Sequence, residues 1–327
     1  MNFETNVTTT AATAAAGEFA GYRIAVLVPC YNEEAAIATV VRDFKAALPD
    51  AAIYVYDNNS KDRTTEVARA AGAIVRREPL QGKGNVMRRM FADVEADIYL
   101  MVDGDATYHA PSAPAMVRLL IENSLDMVNG ARVDAGQKEN YRRGHRFGNK
   151  MLTGIVAQIF GDRIGDMLSG YRVLSRRYVK SFPALAQGFE TETELTVHAL
   201  QLRMPIGEVE TPYGARPEGS VSKLSTYKDG WKILKMILKL IREERPLFFF
   251  SVIAAAFAFF SLAFGTPVLL TYLDTGLVPR LPTAILAMGL MILAFLSMTC
   301  GLILDTVTRG RMEVKRLTYL GIPGPLR

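Results

Sequence analysis

From Arg23 onward, short apolar runs alternate with helix-length amphipathic stretches. "RIAVLVP" reads as a first strand and Glu33 to Leu48 as a helix. "AIYVYD" reads as a second strand, followed by a helix over "KDRTTEVARAAG" that Gly72 closes as a C-cap. "AIVRR", a helix from about Gly84 to Val94, and the strand "DIYLMVD" continue the alternation, and "DMVNGAR" reads as one strand more. This pattern predicts repeated βαβ units, and so an α/β fold with a mainly parallel sheet. Beyond it the pattern blurs. "GNKMLTGIVAQIF", Gly148 to Phe160, is apolar for its length, sits behind the basic cluster "YRRGHR" and reads as an ambiguous helix. No internal repeat is evident.

The C-terminal part has a different pattern. Leu247 to Leu273 contains no charged residue and is long enough to cross a bilayer, as is Leu281 to Leu304. The short "DTGLVPR" between them leaves room for little except a hairpin turn. Arg242 and Arg245 precede the first run, and Arg309, Arg311, Lys315 and Arg316 follow the second, while the connecting loop holds only Arg280. The positive-inside rule therefore places both chain ends in the cytoplasm of a multi-pass protein of the inner (plasma) membrane. Just before the first run, "YKDGWKILKMILKLIREER" puts Trp231, Leu234, Ile237, Leu238 and Ile241 on one face and lysines elsewhere. That reads as an interfacial helix, with an ordinary core helix as the alternative.

These patterns divide the chain into a disordered tail (1–21), an α/β domain (22–226), an interfacial amphipathic helix (227–245), a two-helix transmembrane hairpin (246–306) and a cytoplasmic basic tail (307–327). The N-terminal tail is rich in small polar residues and lacks the basic and apolar regions of a signal peptide. Two cysteines, Cys30 and Cys300, build no disulfide framework and suit a reducing compartment. A net charge of +5 over 327 residues suits a protein lying against an anionic leaflet.

In parallel α/β sheets, ligands bind beyond the carboxyl ends of the strands. Three such ends are polar here: "PCYNEE", "DNNSKD" and "DGDA". Asp57, Asp62, Asp103 and Asp105 should therefore converge on one edge. A lone D-x-D is a weak signal, but three acidic strand ends in this order are hard to dismiss as solvated loops. Of the histidines, His109 lies near Asp105 and could bind metal, although a loop histidine is more often solvated, and neither His145 nor His198 has the spacing of a metal cluster.

Together "VPCYNEE", "DNNSKD", "GKGNV", "VDGDA", "GDMLSGYRVLSRR", "GFETETEL" and "RPEGSVSKL" resemble the polyprenyl-phosphate glycosyltransferases of glycosyltransferase family two, which include the dolichol-phosphate mannose and glucose synthases. The resemblance runs from about Ile24 to Trp231. It implies a GT-A fold, a Rossmann-like and mainly parallel α/β catalytic domain, followed by the interfacial helix and two transmembrane helices. It implies that Asp103 and Asp105 hold Mg²⁺ or Mn²⁺, with Asp105 favoured as direct ligand, and that Asp57 bonds the base or ribose. Pro29, Tyr31 and Glu33 stand where the family wraps the nucleoside, although Glu33 equally suits a helix N-terminus. Lys83, which between two glycines also suits a plain turn, and Arg132 would lie near the donor phosphates, and Asp166 near the acceptor, with Ser169, Gly170 and Arg172 in the same motif. Arg172 could instead pair structurally with a glutamate. Glu192 and Glu194 begin a helix near the reaction centre, where their spacing lets one of them face the site.

Arg216 and Lys223 would clamp an acceptor phosphate at headgroup depth. The expected partners are a nucleotide-sugar donor, a polyprenyl phosphate acceptor and membrane lipids, with no nucleic acid and a homo-oligomer left open. The reaction implied is inverting, metal-dependent transfer of one sugar, from a UDP-sugar in preference to a GDP-sugar, to the lipid phosphate. The alternatives are a processive polysaccharide synthase, for which two spans are few and no "QxxRW" is present, and a non-catalytic membrane scaffold. In "DNNSKD", Asn58 stands where the family often has an aspartate.

Overall fold

Strand β1 (Ile24–Cys30) is buried almost throughout, as its unbroken apolar run requires of a strand covered on both faces. In the computed structural model, which describes residues 17–134, 154, 165–186, 188, 190–214, 235 and 238–324, this strand lies inside a seven-stranded sheet. The other strands are β2 (Ala52–Asp57), β3 (Ile74–Arg77), β4 (Ile98–Met101), β5 (Met127–Asp134), β6 (Arg172–Ser175) and β7 (Ile206–Tyr213). Their order is β3-β2-β1-β4-β6-β5-β7. Neighbours run parallel except at β6, which is antiparallel to both β4 and β5.

The helices follow from their apolar spacing. In α1 (Ile37–Ala47) the residues Ile37, Val40, Val41 and Phe44 fall on one face and are buried against the sheet. Next come α2 (Thr64–Ala70), α3 (Lys83–Asp93) and α4 (Ala113–Glu122), the last entered through the 3₁₀ turn Ala110–Ser112 with a proline in its first turn. Gly72, at φ +94°, lies just beyond α2, where a left-handed residue ends a helix. Helix α5 (Arg176–Ser181) starts at Ser175, whose side chain accepts from the Tyr178 amide, and α6 (Thr191–Leu202) ends on a left-handed Arg203.

Register decides what meets at the sheet edge. Cys30 pairs with Asp57, and Leu27 with Met101, so the ends of β1, β2 and β4 lie level. Because β6 runs the other way, its first residue Arg172 pairs with Met101, and the loop before it arrives at the same edge. Asn129 of β5 also pairs with Arg172, so Gly130 to Asp134 continue past that edge.

The chain divides into two compact units, Met1–Gly230 with Lys315–Arg327, and Trp231–Val314. Residues 17–21, at the end of the segment expected to be tail, form turns with Phe19 buried, and the Gly17 amide donates to Asp50. At the other end, within the first unit, Tyr319 Oη donates to buried Asp126 (2.8 Å), which also takes two bonds from Arg177 (2.5 and 2.8 Å) and one from Ser175 Oγ. Helix α7 (Pro246–Thr275), in the second unit, and α8 (Leu281–Leu320), which belongs to it as far as Val314, are each long and apolar enough to cross a membrane. The residues buried along α8, Ala287, Ala294, Gly301 and Thr308, recur every seventh position. This seam of small residues lets the helices approach closely, with Ser261 Oγ donating to the Ala287 carbonyl (2.6 Å) and Phe250 packed on Gly301. Residues 238–244 of the expected interfacial helix are helical, and 227–234 lie outside the described residues.

Candidate active site

Three of the four acids expected to converge, Asp57, Asp103 and Asp105, lie with Glu33 around one buried thiol, whereas Asp62 accepts from the Glu34 and Thr64 amides. Cys30, at the end of β1, has its pKa raised well above the ordinary value, first by burial and then by the negative charges of Glu33, Asp57, Asp103 and Asp105. The sequence expectation of convergence rests on strand order alone, and the register supplies the reason: each residue follows a strand that ends at the same level.

Close packing shapes the D-G-D turn. A Cβ on Gly104 would stand 2.6 Å from Cys30 Sγ, so only glycine fits between the two acids. Asp105 is buried, and Thr107 donates to its Oδ1 from the hydroxyl (2.6 Å) and the amide (3.3 Å). Ala106, directly after it, has φ +58°, a left-handed conformation that non-glycine residues adopt at a cost. Gly170 presses on the other acid: a Cβ there would lie 2.5 Å from Asp103 Oδ2. Its amide donates to Tyr108 Oη (2.8 Å), whose pKa is raised by burial and then by Asp103.

Lys83, the first residue of α3, reaches into this cluster. Its Nζ lies 2.5 Å from both Asp103 Oδ1 and Glu192 Oε1, and its side chain is only 12% exposed. Burial pulls its pKa down, but Asp103 and then Glu192 raise it by more, so the ammonium is held above its ordinary value. Glu192 Oε2 is buried and makes no hydrogen bond among the described residues. Glu194 is turned elsewhere and accepts from the Leu185 and Ala186 amides (both 2.9 Å).

Asp57 accepts from the Ser60 amide (3.2 and 3.3 Å), and the strand-end loops are stitched together beside it. Asn32 Oδ1 accepts from the Lys61 amide, the Glu33 amide donates to Thr64 Oγ1, and Glu34 pairs with Arg63. Pro29, Tyr31 and Glu33 are half-buried along this edge. Asn58 explains its own departure from the family spelling. Its Nδ2 donates to the carbonyls of Glu78 and Leu80, and its Oδ1 accepts from the Gly82 amide, so it anchors the loop that delivers Lys83. A carboxylate could do only the accepting half of this work.

Arg132 and Asp166, assigned to donor and acceptor respectively, are here bound to one another in bidentate fashion (2.6 and 2.9 Å), with the guanidinium 5.5 Å from the centre of the Tyr213 ring. Ser169 Oγ donates to the Gly130 carbonyl. Arg172 is fully buried and donates to the carbonyls of Ser169, Met167 and Glu192, so its role is to hold main chain and not to pair with a glutamate side chain. Burial lowers its pKa. His109 Nδ1 is 2.9 Å from Ser112 Oγ, and burial lowers its pKa; His198 is buried within α6. Arg216, Lys223 and His145 lie outside the described residues.

No group of three or more His, Cys, Asp or Glu side chains among the described residues could by itself hold a metal. Asp103, Asp105 and the unsatisfied Glu192 oxygen are nonetheless all hard oxygen donors. The adjacent pair Asp103 and Asp105 fits a cation such as Mg²⁺ or Mn²⁺, which takes one or two carboxylates and completes its shell with substrate phosphates.

The sequence profile described as Glycosyl transferase family 2 matches residues 25–182. Glycosyltransferase AglJ of Haloferax volcanii is 34% identical over 234 residues, 71% of this chain and 77% of that one. A dolichyl-phosphate hexose transferase of the same organism is 29% identical over 222 residues, covering 68% and 95%. Among solved structures, glucosyl-3-phosphoglycerate synthase of Mycobacterium tuberculosis, crystallised with Mn²⁺, UDP-glucose and phosphoglyceric acid, aligns with a TM-score of 0.57 and 25% identity, over 70% of this chain and 83% of that one.

Proposed function

This chain belongs to glycosyl transferase family 2, and we propose that it moves one sugar from a nucleoside diphosphate sugar to polyprenyl phosphate at the cytoplasmic face of a membrane. The observation that carries this reading is the meeting of Asp57, Asp103, Asp105, Lys83 and Glu192 at one sheet edge, in a chain that also holds two helices apolar enough to span a bilayer. The dolichyl-phosphate hexose transferase supports a lipid phosphate acceptor, and the UDP-glucose of the mycobacterial structure supports a UDP-sugar over a GDP-sugar.

Within this reading Asp57 receives the base or ribose as a hydrogen-bond acceptor, with Pro29, Tyr31 and Glu33 lining the nucleoside. Asp103 and Asp105 hold Mg²⁺ or Mn²⁺, which when bound neutralises charge on the departing diphosphate. The nucleophile is a phosphate oxygen, largely ionised near neutral pH because such second pKa values lie at about 6. It therefore displaces the nucleoside diphosphate in line, with inversion at the anomeric carbon, and orientation contributes more than base strength. Arg132 and Asp166 part from each other to meet the donor phosphates and the acceptor. Arg216 and Lys223, ahead of the amphipathic segment, take the lipid phosphate.

Membranes carrying the full chain, incubated with polyprenyl phosphate and a panel of UDP- and GDP-sugars, should yield a lipid-phosphate sugar from one donor. Asp105→Ala should lower the rate by at least about a hundredfold while membrane association persists. Absence of turnover with every donor would overturn the proposal.

A further inference from the structure

We propose that Lys83 is a resident cation of the acidic site, which holds Asp103 against Glu192 until a nucleoside diphosphate arrives and so makes divalent-metal binding dependent on nucleotide. The inference rests on the donor-site reading above. An ammonium 2.5 Å from each of two carboxylates occupies the side of Asp103 that a metal ion would otherwise share, and it is nearly shielded from water. On the other side of this carboxylate the chain passes close: a Cβ on Gly170 would stand 2.5 Å from Asp103 Oδ2. Lys83 is also held from behind: Asn58 binds the Gly82 amide at 2.7 Å, and Gly82, at φ +131°, turns the chain directly into α3.

Charge decides the order of events. Asp103, Asp105 and Glu192 bring three negative charges, of which Lys83 already offsets one, and a divalent ion approaching Asp103 meets a like charge at short range. No three-ligand group among the described residues compensates for this. A diphosphate changes both terms at once, since it completes the metal shell and gives the lysine ammonium a new anionic partner. Glu192 Oε1 holds the same ammonium at 2.5 Å and is independent of Asp103, so Glu192 retains the lysine when Asp103 is released.

The experiment is Mn²⁺ binding to the full-length protein in detergent, followed by the loss of the free-ion electron paramagnetic resonance signal, with and without UDP. The unmodified protein should bind Mn²⁺ weakly alone and at least about thirtyfold more tightly with UDP. Lys83→Met should bind Mn²⁺ alone about tenfold more tightly than the unmodified protein and lose most of the UDP dependence. Lys83→Gln, which keeps donors for both carboxylates, should shift in the same direction and serves if the methionine variant does not fold. Mn²⁺ affinity without UDP that is unchanged or weaker in the folded variant overturns the inference. Asp105→Asn separates it from the reading beneath it: full Mn²⁺ and UDP binding in that variant would sink the metal assignment itself.

Discussion

Helices α6 and α7 relate residue type to burial in opposite ways. In α6, Glu192, Thr193, Thr196, His198 and Gln201 are all buried, whereas in α7 the residues Phe248, Phe259, Phe260, Leu262, Leu269 and Leu273 are exposed. The buried polar groups are only partly partnered: Glu192 Oε2, Thr193 Oγ1 and His198 Nδ1 make no hydrogen bond among the described residues, while the rest of the helix is bonded to its surroundings. Arg172 donates to the Glu192 carbonyl, Thr196 Oγ1 to the same carbonyl, Tyr178 Oη to the Leu195 carbonyl, and His198 Nε2 lies 3.1 Å from Ser181 Oγ. The apolar surface of α7 has no such explanation in water, since soluble proteins rarely expose contiguous patches of this kind. A bilayer supplies one, because every backbone group of a helix is already bonded and the side chains match the lipid. Burial follows the surroundings a residue is given, and hydropathy only says which surroundings are affordable.

The hardest test of α6 is to remove the charge beneath it. Arg172→Ala would strand the carbonyls of Ser169, Met167 and Glu192 and should destabilise the catalytic unit by about 3–5 kcal/mol, a fall in midpoint of roughly 10 °C by near-ultraviolet circular dichroism. A change under about 1 kcal/mol would mean that the buried network contributes little.

The matching test of α7 places a charge where the apolar surface is continuous. Leu262→Arg, at an exposed position near the helix centre, should cost about 2.5–3.5 kcal/mol of membrane insertion and release protein from carbonate-washed membranes. Unchanged membrane retention would show that α7 does not span the bilayer.

The smallest effect is an acid one. Burial lowers the His198 pKa to about 3, with a further push from Lys315, and Nδ1 has no hydrogen-bond partner among the described residues. The folded pKa lies below the unfolded value, so the stability this residue permits is whole above about pH 6.5 and declines as pH falls toward 3. Over that window the unfolded chain takes up a proton that the folded chain refuses, a loss of about 2 kcal/mol at pH 5. His198→Phe, whose ring suits the edge contacts with Tyr178 and Phe182, should abolish this part of the acid sensitivity in thermal melts at pH 7 and 5. Equal sensitivity in both proteins would contradict the buried, neutral histidine.

Apart from α4 (Ala113–Glu122), for which no helix is predicted from the sequence, the elements from Ile24 to Asp134 were largely legible because their apolar runs have the period and length of the structures they form, and each strand is followed by the polar residues it delivers. The second half resisted for a physical reason. Strand β6 is four residues long, antiparallel and fully buried, so neither alternation nor length distinguishes "RVLS" from a helix fragment. Without β6 the loop carrying Asp166 and Gly170 has no assigned place. Helix α6 is buried on all sides and has no apolar face to betray its orientation, which is why Glu192 and Glu194 could be separated by spacing but not assigned a partner. Asn58 and Asp126 were missed because their signal is the set of groups they bond, residues 20 to 193 positions away in the chain.

Local chemistry written along the chain determined the βαβ alternation, the acidic strand ends and the two apolar helices, since each depends on neighbours a few residues apart. Tertiary structure decided which acid faces which cation. That Lys83 lies between Asp103 and Glu192, and that Arg132 grips Asp166, depends on strand register and on the reversed direction of β6, which bring together residues 20, 109 and 34 positions apart. Electrostatic pairing acts through space over a few ångströms, and no periodicity in the sequence encodes that distance.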